Sequence, residues 1–198
     1  MAGKGLSTLG LMTTISRIFR DPLNSNIKFH ILSASIKPSD FTDLATAIWD
    51  DRMSVEQDSK ALLDAEYRFG PNKLVVKNAN ITDFLSEALI IHEGVHAIND
   101  MKKRGSLPAV DDEVAGYVAQ ALYVRGHGKA KKGEYITHPV TTKQDIFKAA
   151  FALAERILEK KSYWQQIITL REAIYADPDY AANLKQKRTF DGLGPAKT

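Results

Sequence analysis

The sequence predicts an α+β fold in a single domain, predominantly helical, with a small sheet of about three strands. Three observations lead there. After residue 80, apolar residues recur at helical spacing through most of the chain. Before it, the alternation around residues 27–31 and the run Leu74-Val75-Val76 have strand character. The length of 198 residues suits one domain with a real core rather than two.

The elements follow in order. Residues 1–20 place Lys4 before a mildly apolar run diluted by Ser7, Thr8, Thr13 and Thr14, with Arg17 and Arg20 after it. Without a small-residue cleavage site, this is weaker as a secretory signal than as an amphipathic helix with Leu11, Ile15, Ile18 and Phe19 on one side. Asp21-Pro22 ends that helix. Ile27, Phe29 and Ile31 alternate with Lys28 and His30, which makes a strand with His30 facing outward. Ser39 or Asp40 caps a helix carrying Phe41, Leu44, Ala45, Ile48 and Trp49. Residues 64–69 and 73–77, joined through Gly70-Pro71-Asn72, form a hairpin, although the first arm could equally end a helix that starts near Ser59.

Asn80, Thr82 and Asp83 are caps for a long helix over residues 84–98. Lys102, Lys103 and Arg104 complement its dipole, and Gly105 suits the left-handed position beyond it. A second helix starts at Asp111 or Asp112, after Pro108, and stops at Gly126. A third covers 142–161 with Ile146, Phe147, Ala150, Phe151, Ala154, Ile157 and Leu158 at helical spacing. Ser162 opens a fourth, in which Trp164, Ile168 and Tyr175 read as a core stripe. Asp177-Pro178 restarts the chain as cap and first-turn proline. Residues 126–133, with Lys129, Lys131 and Lys132 among glycines, read as a flexible solvated loop, and the tail after Lys185 frays.

Composition removes several functions. A net charge of +3 from 27 basic and 24 acidic residues is too small and too interspersed for a nucleic-acid or anionic-membrane binder. A nucleic-acid partner would have to use Lys129, Lys131, Lys132 and the basic tail. With no cysteine there is no disulfide framework, thiol nucleophile, iron–sulfur cluster or Cys-ligated zinc, so any metal must rest on His, Asp and Glu. No stretch reaches the 18 or so apolar residues of a membrane span. The chain is expected in the cytoplasm, or exported without a cleavable signal peptide.

One motif carries chemistry: His92-Glu93-Gly94-Val95-His96, an H-E-x-x-H inside the long helix. Residues i and i+4 share a helix face, so both imidazoles can bind one ion at about 2.0–2.1 Å. Glu93, rotated by roughly 100°, stays out of ligation but near a metal-bound water, from which it can collect a proton. The preceding Ala88-Leu89-Ile90-Ile91 is apolar on every side, which puts this helix in the middle of the domain. Catalytic zinc keeps three protein ligands and an open position. The third comes from Asp111-Asp112-Glu113 at the start of the next helix, folded back antiparallel across a short loop. Gly116, on the face of Glu113, would let the two helices approach closely.

At these residues the chain resembles the zincin metallopeptidases, in the gluzincin-like arrangement of H-E-x-x-H followed by a helix bearing a glutamate ligand. Glu113-Val114-Ala115-Gly116-Tyr117 looks like the E-x-x-A pattern with Gly116 at the alanine position. Read as Asp112-Glu113-Val114-Ala115, the alanine is kept and Asp112 becomes the ligand. The resemblance covers about residues 65–125. It implies a zincin-like fold, Zn2+ held by His92, His96 and Glu113, Glu93 as catalytic base, and a peptide or protein substrate. It also implies that the strand at 73–77 is a sheet edge lining the cleft. The expected activity is peptide-bond hydrolysis; a non-proteolytic interaction or effector module on the same scaffold is the alternative.

The competing reading makes His92 and His96 core histidines, Glu93 an ion-pair partner, and residues 111–113 caps and dipole partners. His127, His138, Tyr117, Tyr123, Tyr135 and Arg125 are candidates to stabilise an oxyanion. No autoinhibitory strand is evident, although residues 1–21 could move over the cleft.

Overall fold

A computed structural model of the chain describes residues 7–103, 105–134, 143–181, 184 and 187–193. Helix α1 (Thr8–Phe19) buries Leu11, Ile15, Ile18 and Phe19, the side that the spacing selects. It is thereby fixed in the core rather than free to swing over a cleft. A 3-10 turn, Pro22–Asn26, follows, with Asp21 as its cap. Strands β1 (Phe29–Ile31) and β2 (Ala34–Ile36) pair antiparallel, and His30 faces outward as expected. Helix α2 (Pro38–Trp49) begins one residue before Ser39. Asp40 closes its cap from inside the first turn by accepting a 2.8 Å hydrogen bond from the Lys37 N–H.

Three strands form the sheet on which the site is built: β3 (Ser54–Gln57), β4 (Ala65–Arg68) and β5 (Lys73–Val76), in the order β3-β5-β4. The hairpin at 64–77 forms, with β4 antiparallel to β5; the helical alternative for its first arm does not. Strand β5 is the centre of the sheet, not its edge, because β3 joins it in parallel on the other side. The edge toward the site is β4. Only Val55 of β3 is buried, so the sequence carries no alternation there to announce a strand.

Helix α3 (Phe84–Met101), capped by Asp83 through the N–H groups of Leu85 and Ser86, carries the all-round apolar run and is correspondingly central. A Cβ at Gly94 would stand 2.7 Å from a ring carbon of Phe19, so glycine is what lets α1 lie against α3 here. After the helix, Lys103 and not Gly105 takes the first left-handed conformation (φ 49°). Gly105 (φ 73°) opens strand β6 (Gly105–Pro108). Helix α4 (Ala109–Gly126) then runs back antiparallel to α3, as the pairs Glu87–Tyr123, His92–Glu113 and Asn99–Asp112 record.

Helices α5 (Gln144–Leu158), α6 (Trp164–Ala176) and α7 (Pro178–Ala181) complete seven α-helices among the described residues. In α6 the buried stripe is Ile167, Leu170 and Ile174. Trp164 is 61% exposed and Tyr175 48%, so the expected core stripe is wrong by about one position around the helix. The segment 126–133 is fastened rather than loose: Lys132 pairs with Glu159, Lys129 Nζ sits 5.7 Å over the Phe84 ring, and Ala130 is buried. The described part of the tail, residues 187–193, is likewise ordered. Strand β7 (Lys187–Phe190) pairs antiparallel with β6, and the Gly192 N–H donates to buried Asp100 at 3.0 Å. No described helix is long and apolar enough to cross a membrane.

Candidate metal centre

The i, i+4 spacing does what helix geometry requires. The rings of His92 and His96 lie 5.0 Å apart on one face of α3, both buried. One ligand atom each from His92, Glu93 and His96 lies within 4.8 Å of the others. Helix α4 adds the acid: Glu113 Oε2 is 3.2 Å from His92 Nε2, and Glu113 Oε1 is 3.7 Å from His96 Nε2. Ligands bound tetrahedrally at about 2.0–2.1 Å stand roughly 3.3 Å apart, a spacing that the His92–Glu113 pair matches.

Glu113 and Asp112 separate by role. Asp112 Oδ2 lies 2.7 Å from His96 Nδ1, the ring nitrogen turned away from the cluster, and its Oδ1 accepts from Asn99 Nδ2 at 2.7 Å. It therefore backs a histidine rather than facing the shared point. Asp111 turns elsewhere, 3.5 Å from Arg171.

The approach of α4 depends on Gly116, as the sequence suggested. A Cβ there would stand 2.7 Å from His92 Nε2 and 2.9 Å from two ring carbons. His92 Nδ1 is buried with no hydrogen-bond partner among the described residues. The Tyr117 ring packs edge-on against His92 at 4.6 Å between centroids.

Glu93 is fixed from the sheet. Its Oε2 accepts the Tyr67 N–H of edge strand β4 at 2.8 Å. The Tyr67 hydroxyl reaches on to Asp100 Oδ2 at 2.7 Å, two turns further along α3. Around these groups lies a cleft of about 720 Å³, lined among others by Leu62, Leu63, Phe69, Glu93, Tyr180 and Arg188.

The electrostatics follow from burial and pairing. Burial would push the Asp112 carboxyl up, but the His96 ring and then Arg188 hold it down to about 2. Glu113 is likewise held well below the carboxylate range against its burial, by Arg188, His96 and His92. For His96, burial opposes the charged form, yet Asp112 and Glu113 outweigh that and Arg188 together, and its pKa is raised. Tyr180 hydrogen-bonds Tyr117 through the two hydroxyls at 2.7 Å. Burial, then the negative charge of Glu113, push it far above the ordinary phenol value, so it stays protonated.

Of the sequence-derived site residues, His92, Glu93, His96 and Glu113 come together, with Asp112 behind His96. Among the oxyanion candidates that are described, only Tyr117 is near. Tyr123 and His127 join a separate group with Asp21 and Glu87, closed by the Tyr123 hydroxyl and by Arg17 on Glu87. Arg125 hydrogen-bonds the Glu134 carbonyl, while Tyr135 and His138 lie outside the described residues.

Sequence reasoning missed Tyr67, Asn99, Tyr180 and Arg188. Asn99, three residues after His96 on the same helix, was findable by face; the others are brought in by tertiary contacts. Comparison with protein-family models, with curated proteins and with solved structures finds no match to this chain.

Proposed function

We propose that the chain is a zinc-dependent metallopeptidase that cleaves peptide bonds with Glu93 as its base. The observation that carries this reading is the convergence of His92, His96 and Glu113 in one cleft with Glu93. His92 and His96 through Nε2, and Glu113 through Oε2, would hold the ion. Two imidazoles and a carboxylate form a donor set of catalytic zinc sites, which keep a further position open. Bound zinc supplies Lewis acidity at a substrate carbonyl and a lowered pKa for water.

The chain's own groups do the rest. Glu93 takes a proton from the attacking water and hands it to the amine nitrogen as the C–N bond breaks. Its hydrogen bond from the Tyr67 N–H keeps the carboxylate from swinging out of reach. Asp112 accepts from His96 Nδ1 and so fixes the tautomer whose Nε2 lone pair faces Glu113. Tyr180, held protonated, offers a donor to charge developing on the carbonyl oxygen. An extended peptide lies along β4 toward Leu62 and Leu63, whose exposure beside the cleft (97% and 54%) suits apolar side chains.

The test is metal content and turnover together. Protein purified without added zinc or chelator should carry about one zinc per chain and cleave a quenched-fluorescence peptide library. Glu93→Gln should keep the zinc and lose turnover; normal activity in that variant ends the mechanism. A second reading, a non-proteolytic partner-binding module, is favoured by Arg188, which neutralises Asp112 and Glu113 without an ion. Metal-free protein whose melting temperature is unmoved by zinc would select it, because an ion that binds the native state must stabilise it.

A further inference from the structure

We propose that Arg188 is a positioning residue of this centre: its guanidinium fixes Glu113 and Asp112 so that Glu113 Oε2 faces His92, which makes strand β7 part of the site. The inference rests on the metallopeptidase reading.

The geometry is specific. Arg188 Nη2 donates to Glu113 Oε1 at 2.6 Å and Nη1 to Asp112 Oδ2 at 2.5 Å, while Glu113 Oε2 is left 3.2 Å from His92 Nε2. One oxygen of Glu113 is thus held by Arg188 and the other is turned to His92. Asp112, held by the same fork, keeps its place behind His96. Only a planar group with several donors can span two adjacent side chains in this way; the lysine ammonium is a point charge on a flexible stem.

Charge gives a second reason. Glu93, Asp112 and Glu113 bring three buried carboxylates to one place. A divalent ion with Arg188 balances them, whereas the ion alone leaves a buried negative charge uncompensated, which is costly. Arg188 is itself well anchored. Its guanidinium lies 5.4 Å over the Phe69 ring, and Phe190 packs edge-on against the same ring at 5.6 Å. Backbone pairing places Arg188 opposite Leu107 of β6, immediately before the helix that carries Asp112 and Glu113. Beyond it, Gly192 is tied to Asp100 through its N–H and to Asn72 Nδ2 through its carbonyl at 3.3 Å. Strand β7 is therefore docked into the fold.

The experiment compares the full chain with Arg188→Lys and Arg188→Met. Zinc affinity is read by competition with a chromogenic chelator, coordination geometry by the visible absorption of the cobalt(II)-substituted proteins, and folding by circular dichroism. A residue that positions a ligand typically changes metal affinity by about 10–100-fold. Arg188→Lys should stay folded, bind zinc about tenfold more weakly and shift the cobalt bands, and a folded Arg188→Met should lose more. If Arg188→Met does not fold, Arg188→Lys alone decides. Folded variants with wild-type zinc affinity and wild-type cobalt bands overturn the proposal and leave the metallopeptidase reading standing. A wild-type chain that takes up no zinc overturns both.

Discussion

Asp112 Oδ2 sits 2.7 Å from Nδ1 of His96, the opposite ring nitrogen from the one that faces Glu113. Two consecutive residues of α4 thus take the same imidazole from its two sides. The Asp112 carboxylate, an acceptor, favours a proton on Nδ1. Asp112→Asn should therefore weaken zinc binding by about 10–100-fold, measured by chelator competition, while Glu113 still faces both histidines. An unchanged affinity would show that the Nδ1 contact does not orient His96.

The acid limb of stability should report the same carboxylates. Asp112 and Glu113 have folded pKa values lowered from 3.8 and 4.5, Asp112 to about 2. Their stabilisation is present above those ordinary values and is lost as pH falls through the folded ones. For Asp112 this is on the order of 2 kcal/mol, lost between about pH 4 and pH 2. His96 acts in the other direction. Its raised pKa stabilises the fold below 6.5, and that contribution disappears as pH rises through the raised value. Urea unfolding of chelated protein against pH should show both slopes, and Asp112→Asn should flatten both; identical profiles would contradict the pairing.

Gly116 tolerates no side chain without movement of His92, because an added methyl would stand 2.7 Å from Nε2. Gly116→Ala should cost about 1–3 kcal/mol in thermal or urea unfolding, as overpacking does, and lower zinc affinity by displacing that nitrogen. Full stability with full zinc binding would mean that α4 can withdraw freely.

Tyr180→Phe removes a hydroxyl that lines the cleft and hydrogen-bonds Tyr117. If that hydroxyl meets developing negative charge, kcat should fall by about 10²-fold with little change in KM. Steady-state kinetics on one peptide decides it, and an equal loss confined to KM would assign Tyr180 to substrate binding.

Much of this arrangement was legible because it is local. His92, Glu93 and His96 sit within one helical turn, Asp83, one of three cap candidates, starts that helix, and Glu113 follows one short connection later. What was illegible is non-local. Arg188 meets a residue 75 positions away, from a four-residue strand flanked by polar and glycine residues, and nothing in its neighbourhood names that partner. Strand β3 makes no pattern with its single buried residue, and the edge position that the resemblance implies for β5 fails because β3 pairs with it in parallel. In α6 a heavy aromatic at the first helical position outweighed the true inward stripe of smaller aliphatic residues.

Tyr67 grips the central helix twice, by its main chain at Glu93 and by its hydroxyl at Asp100, a stretch of two helical turns. The sheet edge and the helix are thereby pinned into one rigid wall. Any opening of the cleft then falls to its other lining segments, which carry Lys143, Asp179 and Tyr180.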